Sequence, residues 1–92
     1  GDNEAVAQGT ESPSTPGYLT VTGKINSCDT DSPLYLQVNG VTYELSPVGT
    51  VEEGQEAYPF TAYLPLETDL SGAQILYKEN GQWWSSPLQI QS

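Results

Sequence analysis

The chain has no arginine, no histidine and no methionine, and its two lysines, Lys24 and Lys78, stand against twelve carboxylates. Without histidine, the usual base that activates a Ser or Cys nucleophile is missing. Both lysines fall at outward positions of expected strands, which are poor surroundings for a general base. A glycosidase-like pair of carboxylates requires one acid to be desolvated. The acidic residues here cluster instead in loops and on wet faces. Phosphate-cradling glycine loops and dinucleotide fingerprints are absent, so the sequence predicts a non-catalytic protein without a cofactor.

The formal charge of −10 excludes nucleic acid as a partner, because phosphate binding needs clustered Lys or Arg. It disfavours anionic membrane surfaces for the same reason. It also keeps a protein soluble and speeds its encounter with cationic partners. No apolar run approaches the roughly 18 residues of a transmembrane helix. Cys28 is the single cysteine, which excludes an internal disulfide and a cysteine-rich structural metal site. As a small apolar side chain it is expected to be buried, the alternative being an exposed thiol that pairs with another chain. With no methionine, the chain is expected to be a processed product or a piece of a longer protein.

Composition divides the chain at residue 17. Residues 1–17, GDNEAVAQGTESPSTPG, offer only Val6 and two alanines as apolar content and read as a flexible acidic tether that cannot fold alone. This segment resembles the spacer that follows the lipid-bearing cysteine of exported bacterial lipoproteins. The resemblance implies a lipid anchor before residue 1 and a secreted, periplasmic or cell-surface location. A linker between domains has the same composition.

Residues 18–92 read as one domain, in which the hydrophobic pattern has a period of two. In YLTVTGKI, Leu19, Val21 and Ile25 alternate with Thr20, Thr22 and Lys24. In LYLQVNGVTYELS, Asn39-Gly40 is the preferred pair for a type I′ turn. Folding there pairs Val38 with Val41, Leu36 with Tyr43 and Leu34 with Leu45, so turn chemistry and patterning choose the same register. Asn80-Gly81 marks a second hairpin, in which a two-residue turn sets Tyr77 against Trp84 and Lys78 against Trp83, the alternative being a four-residue loop through Lys78. Pro87 lacks a backbone donor and is expected at an edge or a bulge. Between the hairpins, AYPFTAYLPL supplies another strand, of edge type at Pro59. No segment has helical spacing. The expected fold is all-β: a small antiparallel β-sandwich of immunoglobulin-like kind with about six to seven strands, or alternatively a partly open β-barrel.

Two clusters are candidate sites. Asn26, Asp29 and Asp31 offer oxygen ligands for Ca²⁺ in a loop, but the spacing fails the EF-hand pattern at Pro33, and Asp and Asn favour turns for ordinary hydrogen-bonding reasons. The other cluster is aromatic. Strand parity sends Tyr35, Tyr63 and Trp83 outward, with Gln37, Thr42 and Gln82 able to add hydrogen bonds, while Tyr43, Phe60, Tyr77 and Trp84 point inward. Exposed rings give large contact area at low entropic cost and stack on the apolar faces of proteins or sugars. The domain is therefore expected to be an extracytoplasmic recognition or assembly module that binds a protein, or alternatively a glycan, at the cell surface. Ser71, Gly72 and Ala73, followed by Tyr77 and Trp83, resemble the inhibitory loops of periplasmic lysozyme inhibitors, although the cysteines of those proteins are missing here. That resemblance implies a third role, an acidic inhibitor of a basic enzyme.

Overall fold

The computed structural model describes residues 5–11, 17–29, 31–45 and 57–90. Among these there is no helix, and seven strands form a single mixed sheet. They are β1 (Ala5–Glu11), β2 (Tyr18–Ile25), β3 (Leu34–Val38), β4 (Val41–Leu45), β5 (Tyr58–Pro65), β6 (Gln74–Glu79) and β7 (Gln82–Ile90). The sheet order is β4-β3-β6-β7-β1-β2-β5, and its two end strands, β4 and β5, touch without pairing, so the sheet is nearly closed and barrel-like. This architecture is compatible with both a small sandwich and a partly open barrel.

The two Asn-Gly turns set the hairpins. Asn39 and Gly40 have φ of 52° and 75°, and Asn80 and Gly81 have φ of 53° and 80°. These left-handed values belong to a type I′ turn, whose twist matches that of the flanking strands. Leu34 pairs with Leu45, Leu36 with Tyr43 and Val38 with Val41, and in the second hairpin Tyr77 pairs with Trp84 and Lys78 with Trp83. Alternation then carries Leu34, Leu36, Val38, Ile75 and Tyr77 into the core, where they meet Val21, Ile25, Phe60 and Leu64 from the opposite flank. Burying each such side chain contributes about 1.5–3 kcal/mol, and this burial holds the short strands together.

Four expectations need correction. First, residues Ala5–Glu11 are a strand within the sheet and not part of a flexible tether. β1 lies antiparallel to β2 along its whole length and parallel to β7 from Ala5 to Ala7, which makes the sheet mixed and not purely antiparallel. Its inward residues are small because the space above them is already filled. Ala5 and Ala7 are buried, and a Cβ on Gly9 would lie 3.2 Å from Leu70 Cδ1. Second, Pro87 occupies neither an edge nor a bulge but the interior strand β7. The Leu88 amide donates to Ala73 O at 2.8 Å on the β6 side, so the donorless Pro87 nitrogen faces β1, where among the described residues parallel pairing begins at Leu88. No ladder bond to a described residue is lost there.

Third, Trp84 has the inward parity of its register partner Tyr77 but remains 39% exposed and lines a surface depression. Tyr43 is likewise only partly buried against the core. Fourth, Leu66 does not continue β5 but turns away, 40% exposed, into a loop closed by the Thr68 amide on Pro65 O.

Candidate functional site

The outer face of the β4-β3-β6-β7 flank is built in register rows. Glu44, Tyr35, Leu76 and Ser85 lie across the four strands, with Thr42, Gln37, Gln74 and Pro87 in the next row and Lys78 opposite Trp83 on the other side. Period-two alternation points all of these away from the core. Tyr35 and Trp83 reach toward one another across the intervening strand β6, with ring centroids 5.9 Å apart and planes tilted by 46°. Such a tilted pair is a favourable aromatic geometry. Trp83 stays 53% exposed beside Lys78, while Tyr35 is half-buried. Leu76, Trp83, Trp84 and Ser85 line a shallow depression of about 330 Å³.

Tyr35, Trp83 and Gln37 thus share one face, as parity predicts. Tyr63 does not join them. It is 63% exposed, but it lies on β5, which β1 and β2 separate from β7 in the sheet. Two of the three rings make a tilted pair, and Tyr63 makes no ring contact with either among the described residues. Of the other expected hydrogen-bonding residues, Thr42 lies on this face, whereas Gln82 opposes Glu79 on the inward parity. Leu76, Gln74 and Ser85 belong to the patch although the sequence reading does not single them out. The outward parity of Leu76 and Lys78 within QILYKE is the signal that finds Leu76.

The Asn26, Asp29 and Asp31 loop is used differently. Asp29 turns its carboxylate onto the second hairpin, where Oδ1 accepts from the Asn80 amide and Oδ2 from the Gly81 amide, each at 3.0 Å. Its own amide donates to Lys78 O at 2.7 Å. Both oxygens are committed to orienting a turn, and Asn26 and Asp31 are exposed. Among the described residues no group of His, Cys, Asp or Glu is assembled as a metal site. Nearby, Ser27 Oγ donates to Glu79. Cys28 packs against the core, and desolvation, reinforced by the charges of Asp29 and Glu79, pushes its thiol pKa above the ordinary value. A thiol held protonated is a weak nucleophile.

Comparison with family models, with curated proteins and with solved structures finds no significant match for this chain.

Proposed function

We propose that this domain is a non-catalytic recognition module that uses the Tyr35–Leu76–Trp83 face to hold a protein partner. The observation that carries this reading is a half-exposed tryptophan, in a tilted pair with a tyrosine and bordering an apolar depression, on the surface of a protein with formal charge −10. Tryptophan and tyrosine anchors of this kind dominate the energetics of protein interfaces. The charge argues for a partner with a basic surface, since complementary fields speed encounter and suppress wrong partners. An inhibitor of a basic enzyme is one form of such a module. The proposed setting is extracytoplasmic, as a secreted, periplasmic or cell-surface protein, and it rests on the composition of the first residues. The thiol kept protonated and the carboxylate spent on a turn support the absence of catalysis.

A second reading, glycan recognition, is favoured by one observation. Gln37 and Gln74 are register partners next to Tyr35 and Leu76, where their amides would meet sugar hydroxyls. The tilt between the rings suits a contoured protein surface better than a flat pyranose. Placing a photo-crosslinking side chain at Ser85, with the same group at Thr22 on the opposite flank as control, tests the main reading. A defined protein captured from Ser85, lost on Trp83→Ala and weakened by salt, is the expected result. Equal capture from both positions would refute it, and a saccharide-array signal lost on Trp83→Ala would favour the glycan.

A further inference from the structure

Both hairpins turn on an Asn-Gly pair, the dipeptide most open to intramolecular attack because glycine puts no side chain in the path of its own nitrogen. The reaction needs only water. The Gly nitrogen, once deprotonated, attacks Cγ of the preceding Asn; an N–Cγ bond forms as the Cγ–Nδ2 bond breaks, and Nδ2 takes a proton from water and leaves as ammonia. Water then opens the cyclic imide at either carbonyl, giving aspartate or isoaspartate. No oxidation state changes.

The two turns form an internal comparison. Their backbones are nearly the same, with Asn φ of 52° and 53° and Gly φ of 75° and 80°, so backbone strain affects both reactions alike. Their nucleophiles differ. The Gly81 amide donates to Asp29 Oδ2 at 3.0 Å, and the Asn80 amide holds the other carboxylate oxygen. A negative charge against that N–H opposes its deprotonation, and the paired bonds fix the turn. The Gly40 amide has no acceptor among the described residues, and the turn is exposed. Asn39 Nδ2 does donate to Asp69 O, but at 3.3 Å and in solvent, a weak restraint on the electrophile.

We propose that Asn39–Gly40 is a site of spontaneous deamidation in the folded protein, and that Asp29 shields Asn80–Gly81 from the same reaction. Isoaspartate at position 39 lengthens the main chain inside a turn that sets the β3–β4 register, the pairing that keeps Leu36 and Val38 inside and Tyr35 and Gln37 outside. The modification would therefore age the aromatic face; that consequence rests on the recognition reading, whereas the chemistry at Asn39 does not.

The test is incubation of the full chain in mildly alkaline buffer below its unfolding transition, with peptide mass mapping of aspartate and isoaspartate at both positions. Asn39 is expected to convert at least about tenfold faster than Asn80, equivalent to about 1.4 kcal/mol in barrier height. In urea the two rates should converge, and in Asp29→Asn conversion at Asn80 should rise toward that at Asn39. Equal rates in the native protein, a ratio that survives unfolding, or a folded Asp29→Asn variant with Asn80 still protected would each overturn the proposal. If Asp29→Asn does not fold, the native and urea rates decide alone.

Discussion

Gly23 sits where three strands converge, and the space for a side chain is already taken. A Cβ there would lie 2.5 Å from Phe60 Cζ, 2.7 Å from Val6 O and 2.8 Å from Ala7 Cβ. Two of those neighbours are a carbonyl and a methyl fixed by the ladder, so the strands themselves must move. Gly23→Ala is expected to lower stability by about 1–3 kcal/mol, measured as a lower urea midpoint with an unchanged slope. Tyr77 presents the opposite case: it is fully buried, yet its hydroxyl has no partner among the described residues. Removing an unpaired buried polar group relieves a desolvation penalty, so Tyr77→Phe should leave stability unchanged or raise it by up to about 1 kcal/mol. A clear loss in the same urea titration would mean that the hydroxyl has a partner. The thiol of Cys28 supplies a pH dependence. Its folded pKa is raised, so its contribution is complete below the unfolded pKa and is lost as pH rises through the folded value. Stability should therefore decline on the alkaline side in the native protein and decline less in Cys28→Ala.

At the level of the elements, each Asn-Gly turn is tied to a distant loop: Asn39 to Asp69 and the Asn80-Gly81 amides to Asp29. The second tie is the stronger because its acceptor is charged and bidentate. Asp29→Ala is expected to cost about 1–2 kcal/mol, discounted for exposure, and to speed hydrogen exchange at Asn80 and Gly81 before it affects β3 and β4. Uniform acceleration across both hairpins would contradict a local role. The first hairpin register is legible in the sequence because turn type and alternation specify it independently, whereas the second, where two tryptophans follow one another, leaves a four-residue loop open until the structure shows the two-residue turn. β1 is not legible, and the reason is physical: Ala5 and Ala7 are buried in the core and Gly9 has Leu70 close above it, so the inward residues are small, and a strand of small residues has the composition of a linker. The placement of Pro87 in an interior strand escapes sequence reading for a different reason, since it depends on which strands flank β7 in the sheet.

For the whole molecule, the order of strands around the sheet decides which exposed rings can act together. Parity shows that Tyr35, Tyr63 and Trp83 point outward, but only the order β4-β3-β6-β7-β1-β2-β5, which sets Tyr35 and Trp83 on either side of β6, brings those two rings together, while Tyr63 on β5 makes no ring contact with either among the described residues. That order depends on long-range pairing among strands and on β1, so no local pattern reveals it. The central claim is that recognition belongs to the clustered pair and not to exposed aromatics in general. Tyr63 is the more exposed residue, at 63% against 53% for Trp83, and so provides the control. The deciding measurement is the dissociation constant of the crosslinked partner for Trp83→Ala and Tyr63→Ala, with folding of each variant verified by its urea midpoint. The account predicts at least about a tenfold weakening for Trp83→Ala, as for an interface anchor, and little change for Tyr63→Ala. Equal losses from the two variants, or a loss from Tyr63→Ala alone, would contradict it.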